Sequence, residues 1–142
     1  HLNMIKTKYK DSTIITSNIF DWYQKQIYDK NGFLILDILT KPQNDSILYI
    51  RNKDGYIVKK IEKGYGIDTR SKITFNYKLN KSNDIIEEKI DKELYYATFD
   101  SVDTIHELFQ YDYIYDNNKN WIMKMTKQNG EIIKITQRII RY

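Results

Sequence analysis

The side chains that most often perform proton transfer or nucleophilic attack are scarce in this sequence. The chain has 142 residues, none of them cysteine, and His106 is its one internal histidine. Ser101, Asp103 and His106 could supply a serine, a base and an acid, but they lie within one short segment, too close together to converge in the usual geometry. No second histidine follows His106-Glu107 at the spacing of a zinc protease. We therefore predict a capping or surface histidine and no catalytic residues.

The segment 116–120, Asp-Asn-Asn-Lys-Asn, resembles the opening of a calcium-binding loop, in which alternate oxygen ligands surround the ion. Such loops have glycine at the sixth position and glutamate at the twelfth, where this chain has Trp121 and Lys127. Because the match fails at its most specific positions, the segment is more typical of a hairpin turn. The sequence predicts no metal site and no cofactor.

Aromatic residues make up 14% of the chain, with 13 tyrosines and two tryptophans. Each buried tyrosine hydroxyl needs a hydrogen-bond partner, so we expect some of these rings at the surface. Exposed tyrosine and tryptophan can anchor a protein partner or stack on sugar rings. Aromatic ladders that only stabilise a sheet are the alternative explanation. The candidate binding residues are Trp22, Tyr111, Tyr113, Tyr115 and Trp121.

These residues lie in segments with the pattern of β-strands. Isoleucine and tyrosine, which favour strands, supply most of the apolar side chains. Apolar and polar residues alternate through 72–79, and similar alternation recurs in 109–115, 121–125 and 133–139, as expected for half-buried antiparallel strands. Segments 33–39 and 47–50 are predicted as well-buried strands and 56–61 as a third. Segment 14–26 is predicted to be mostly strand, and 103–109 to be a connector with one helical turn.

Turn dipeptides separate these segments. Asn31-Gly32, Asp54-Gly55 and Asn129-Gly130 each lie between apolar runs, and they predict three hairpins with two-residue loops. Pro42, the only proline, fits a loop between strands.

A weak internal repeat accompanies the turns. Each copy has Asp or Asn, a turn residue three positions later and an apolar residue two positions after that. We expect the Asp or Asn side chain to cap the turn, and a glycine or asparagine at the turn position to adopt the left-handed conformation. The copies are Asp29, Gly32 and Leu34; Asn52, Gly55 and Ile57; Asn80, Asn83 and Ile85; and Asp116, Lys119 and Trp121.

Length, charge and patterning together predict one all-β domain over residues 1–142. We expect an antiparallel β-meander of consecutive hairpins, open or curled into a half-barrel, with at most one or two short helical turns. The net charge of +4 comes from 23 basic and 19 acidic residues without a run of like charges, so we expect no nucleic-acid partner. No apolar stretch approaches the roughly 20 residues of a membrane span.

The segment 113–121, Tyr-Ile-Tyr-Asp-Asn-Asn-Lys-Asn-Trp, resembles the C-terminal Tyr-x-Tyr-Asp-x-x-Gly-Asn-Trp hairpin of bacterial RHS/YD-repeat-like envelope proteins. Asn129-Gly130 and the ending 135–142 extend the resemblance, and Tyr-Asp-Lys-Asn-Gly at 28–32 is similar in kind. Lys119 stands where the family has glycine, so a turn of another type is expected there. The resemblance implies a periplasmic, cell-surface or secreted protein, of a kind sometimes associated with toxin and immunity systems, and carries over no catalytic residue.

The sequence thus favours a non-enzymatic bacterial protein that binds another protein, as an immunity or adaptor protein of the cell envelope. A toxin or an envelope component would be its partner. The alternative is a carbohydrate-binding module, in which Trp22, Trp121 and Tyr113 would stack on the sugar rings of a glycan.

Overall fold

The computed structural model describes residues 2–19, 22–40 and 45–141, and it shows one sheet of eleven antiparallel strands. The strands lie side by side in the order in which they occur in the chain, and β1 and β11 form the two edges. The described residues contain no helix. The predicted all-β meander is therefore confirmed. The strands are β1 (Leu2–Lys8), β2 (Ser12–Ile19), β3 (Trp22–Asp29), β4 (Leu34–Thr40), β5 (Asp45–Arg51), β6 (Ile57–Tyr65), β7 (Thr69–Leu79), β8 (Ile85–Tyr96), β9 (Ser101–Tyr115), β10 (Trp121–Gln128) and β11 (Glu131–Gln137).

The sheet is a single layer, and nothing within the described ranges covers either of its faces. Ile90, at 9% exposure, is the one described residue that is buried. The prediction that 33–39 and 47–50 are well-buried strands is wrong in this respect, since Leu48 and Ile50 are 38% and 41% exposed. Alternation along a strand indicates two different faces, but it does not show that a second layer covers one of them.

The four copies of the repeat are four turns of one type, all at the same end of the sheet. In each, the first residue donates its N–H to the carbonyl of the fifth, and the fourth donates its N–H to the carbonyl of the first. A side-chain oxygen of the first residue accepts the N–H groups of the third and fifth, as Asp116 does from Asn118 and Asn120 at 2.9 Å each. The return strand begins at the predicted apolar residue in every copy: Leu34, Ile57, Ile85 and Trp121.

The fourth position of each turn has a positive φ, as predicted for the glycine and asparagine copies of the repeat. The angles are 83° at Gly32, 87° at Gly55, 64° at Asn83 and 63° at Lys119. The turn at Lys119 is thus of the same type as the others, and the expectation of another type is wrong. The Asx cap and the two backbone hydrogen bonds hold a lysine in a conformation that glycine adopts without strain.

Two sequence predictions about connections need correction. The loops at Asn31-Gly32 and Asp54-Gly55 span three residues, with only the glycine at positive φ. Asn129-Gly130 does form the predicted two-residue loop, between Gln128 and Glu131. Segment 103–109 is not a connector with a helical turn, because it lies inside β9 and pairs with β8 throughout. Pro42 lies outside the described residues.

Residues directly opposite each other in paired strands share a face, so the register separates the side chains into two surfaces. One surface, here called the tyrosine face, includes Tyr49, Tyr77, Tyr111 and Tyr113. The other surface, the aliphatic face, includes Leu36, Leu48 and Ile61 in strands β4 to β6.

Replacing Lys119 by glycine should stabilise the protein by about 1 kcal/mol, because it removes the strain of a left-handed non-glycine residue. Lys53→Gly is the matched control, since Lys53 is the second residue of an equivalent turn and has no positive φ. It should destabilise the protein by a few tenths of a kcal/mol to about 1 kcal/mol through the added freedom of the unfolded chain. Urea unfolding would measure both, and a loss of stability in Lys119→Gly would contradict this account of the turn.

Candidate functional site

Four of the five predicted binding residues form one cluster on the tyrosine face. Tyr111, Tyr113 and Tyr115 follow one another on β9, and Trp121 pairs with Tyr115 from β10. The Tyr113 ring lies 6.0 Å from that of Tyr115 and 6.2 Å from that of Trp121, measured between ring centroids. Trp22 is in β3, six strands away, or about 29 Å at the usual strand spacing. Its side chain lies outside the described residues.

The hydroxyl groups of these tyrosines are bonded within the sheet. Tyr111 donates to Glu88 at 2.6 Å, and Tyr113 donates to the carbonyl of Ile85 at 2.8 Å. Tyr115 donates to Asp84 at 2.6 Å and accepts from the side-chain amide of Asn80 at 2.7 Å. The bonds join β9 to β8 and to the turn before it. The rings are therefore held in place and contribute to the sheet itself.

Two cations cover the faces of these rings. The Lys124 Nζ lies 3.9 Å from the centroid of Tyr111 and 5.7 Å from that of Tyr113. The guanidinium carbon of Arg138 lies 4.0 Å from the centroid of Trp121. Cations at these distances are attracted by the electrons of the ring. The pKa of Lys124 is lowered, and desolvation by burial is the largest cause.

The cluster does not present the coplanar ring surface that stacking on sugars would favour. The Tyr113 ring is tilted by 33° to that of Tyr115 and by 61° to that of Trp121. Arg138 also occupies one side of the Trp121 ring. The geometry corresponds more closely to the cross-strand aromatic ladder considered as the alternative explanation.

The side chains considered for catalysis are not brought together. His106 lies on the aliphatic face with its Nδ1 2.6 Å from Asp91, whereas Asp103 and Ser101 follow the register of the tyrosine face. The described residues hold no group of three or more His, Cys, Asp or Glu side chains able to bind a metal ion. An open hollow of about 410 Å³ lies over Gly64, but its carboxylates are engaged. Asp45 accepts the N–H of Tyr65, and Glu62 pairs with Lys60 at 2.8 Å.

The surface that sequence reasoning missed is on the aliphatic face. Five aliphatic residues occupy one level of five adjacent strands, each directly opposite the next, in a line perpendicular to the strands. Four strand spacings give this line a length of about 19 Å. We call it the aliphatic row, and it consists of Ile14, Ile27, Leu36, Leu48 and Ile61.

The aliphatic row has definite limits. Ile38 and Ile50 widen it on β4 and β5. At the same level on the next strands the residues become polar, with Thr74 on β7 and then Asp91 on β8. Four side chains of the row are half-buried, and Leu48 is exposed. A contiguous exposed apolar surface can mark a site that another molecule covers.

The row could have been found from the sequence only through the register. Its members lie in five separate strands, so no local motif contains two of them. The alternating residues Gln24, Gln26 and Asp37, which bond one another on the opposite face, are the signal that Ile27 and Leu36 share a different face. The length of the loop between two strands sets which residues are opposite each other, so short loops would have indicated that register.

No family model, curated protein or solved structure matches the chain. None of the described segments is a helix of the length and apolar character needed to cross a membrane.

Alkaline pH should weaken the fold through the tyrosine face. Burial is the main cause that raises the pKa of Tyr77 and of Tyr113 to about 12, from an ordinary value of 10.0, and nearby carboxylates add to it. Because the unfolded chain loses these protons near pH 10 and the folded chain only near pH 12, their stabilising effect is complete below pH 10. It is lost as the pH rises from 10 to 12.

Thermal unfolding followed by circular dichroism at pH 9 and pH 11.5 would measure this loss. The double variant Tyr77→Phe and Tyr113→Phe should show a smaller fall in Tm than the wild type. Tyr56→Phe, at an exposed tyrosine, is the matched control. Equal falls in the wild type and the double variant would contradict the assignment.

Proposed function

We propose that this chain is a non-enzymatic protein-binding protein that holds its partner against the aliphatic row. The observation that carries the proposal is the row itself: five aliphatic side chains aligned across five strands on a face that none of the described residues covers with a second layer. Fully burying a leucine or isoleucine side chain contributes about 1.5–3 kcal/mol. Because the side chains of the row are only partly buried in the sheet, a partner that covers them would gain the remaining part of this free energy.

The tyrosine face supports this role indirectly. Within the row's own strands, Asp37 on β4 accepts hydrogen bonds from Gln24 and Gln26 on β3. Lys60 on β6 lies over the Phe75 ring of β7 at 3.9 Å. A sheet stiffened from one side loses less conformational entropy when the other side binds, so binding is favoured.

The class of partner follows from the resemblance of the 113–121 hairpin to RHS/YD-repeat-like envelope proteins. On that basis we propose an immunity or adaptor protein of a bacterial cell envelope, acting in the periplasm, at the cell surface or outside the cell. The segment 113–121, on which the resemblance rests, forms a capped hairpin between β9 and β10. The partner would be a toxin or another envelope component.

Substitution in the row should remove the partner. In affinity capture from source-cell lysate and envelope fractions, we expect the wild type to retain one stoichiometric protein. Leu48→Asp should lose it, because a carboxylate at this position would have to be buried without a partner charge. Ile105→Asp is the matched control on the tyrosine face, since Ile105 is 43% exposed and Leu48 38%. Circular dichroism would show that both variants fold. Equal capture by both variants, or no capture by the wild type, would overturn the proposal.

A further inference from the structure

We infer that the partner of the aliphatic row presents an apolar centre surrounded by acidic side chains. This inference rests on the proposed function and adds the chemistry of the partner to it. It follows from the charged side chains that border the row on strands β3 to β6, which are lysines except for Asp29, whose carboxylate is bonded to its own turn.

Three lysines flank the row on its own face. Lys25 is directly opposite Ile38 and two residues from Ile27. Lys59 and Lys63 lie on either side of Ile61 on β6, opposite Ile50 and Ser46 respectively. None of the three has an ion-pair partner among the described residues.

The carboxylates of the same strands lie elsewhere. Asp37 is on the tyrosine face, where it accepts hydrogen bonds from Gln24 at 3.0 Å and Gln26 at 3.3 Å. Glu62 is on that face too, paired with Lys60. Asp45 follows the register of that face as well and accepts the N–H of Tyr65. Asp29, at the end of β3, follows the register of the row's face, but its carboxylate accepts two N–H groups of its own turn. The charges are thus separated across the sheet, and the row's border is left positive.

The rest of the aliphatic face shows that this is a local property. On β7 and β8, Lys72 pairs with Glu93 at 2.9 Å. A second apolar area on β9 to β11 includes the exposed residues Ile114 and Ile135, and beside it Lys127 pairs with Asp112 at 2.6 Å. Positive charge without a pairing carboxylate therefore borders the aliphatic row, whereas the second apolar area has a neutralised border.

A second copy of this chain fits the row poorly. Two copies packed row against row would bring six lysines together, and the one carboxylate beside each row, that of Asp29, is already bonded to its own turn. Like charges across an interface are unfavourable. A partner with glutamate or aspartate around an apolar centre would bury the row and pair the lysines at once. Such pairing affects association rate and specificity most, and it weakens as salt increases.

Two peptides of equal length serve as probes. In both, leucine occupies alternate positions of the central segment, and the same alternate positions towards the two ends are glutamate in one peptide and lysine in the other. Leucine and charge then lie on one face of an extended peptide. Methyl signals of Leu36 and Leu48 would report binding by NMR. We expect the glutamate peptide to bind at least about tenfold more tightly than the lysine peptide. This preference should shrink as the salt concentration rises from about 0.05 M to about 0.5 M.

The triple variant Lys25→Glu, Lys59→Glu and Lys63→Glu should reverse the preference between the peptides. The control variant Lys6→Glu, Lys8→Glu and Lys134→Glu makes the same change of net charge on the tyrosine face and should leave the preference unchanged. Equal binding of both peptides, binding of neither, or equal effects of the two variants would overturn the acidic-partner inference.

Two further measurements separate this inference from the proposed function. If the captured cellular protein is lost with Leu48→Asp but is retained by the triple variant, the proposed function holds and the acidic border is wrong. A dimer in sedimentation that Leu48→Asp dissociates would assign the row to a second copy, and shifts of the row's methyl signals with phosphatidylglycerol vesicles alone would assign it to a lipid surface. Each result would overturn the inference.

Discussion

Backbone hydrogen bonds between strands that follow one another in the chain hold this molecule together. Every described contact between strands joins sequence neighbours, since each strand pairs with the one before it and the one after it. Because only one of the residues that the structure describes is buried, these residues form no common core to which distant segments could contribute. The register of each hairpin therefore decides where every side chain lies, and four capped turns at one end of the sheet set that register.

The single layer also explains the division of the surface into two unlike faces. On the tyrosine face, polar and aromatic side chains satisfy one another, as Tyr111 does with Glu88 and Lys124 does with the rings of Tyr111 and Tyr113. Such a face is stable in water without cover. On the aliphatic face, strands β2 to β6 align five isoleucine and leucine side chains, which cannot form hydrogen bonds with one another or with water. This is the area that a partner would stabilise most.

The parts of the structure that sequence predicted are those that depend on local chemistry. The turns at Asp29, Asn52, Asn80 and Asp116 were predictable because the cap, the left-handed residue and the returning strand lie within six residues of one another. Burial was not predictable, because the same alternation occurs whether or not a second layer covers the sheet. The alternating aromatic residues of β9 were predicted as a binding surface because the sequence does not show that their hydroxyls are bonded within the sheet. The helical turn predicted within 103–109 was wrong because a single short turn is held by few hydrogen bonds, whereas ten residues of β9 pair with β8.

Hydrogen exchange of the backbone amides, followed by NMR, tests most directly whether neighbouring strands alone hold the sheet. Protection should be highest in the long central strands β7, β8 and β9, which have 11, 12 and 15 residues, and it should fall stepwise towards β1 and β11. Equal protection from β1 to β11 would instead indicate that the sheet opens as one cooperative unit. That result would contradict the account, because a chain held only by neighbour pairing should open progressively from its edges.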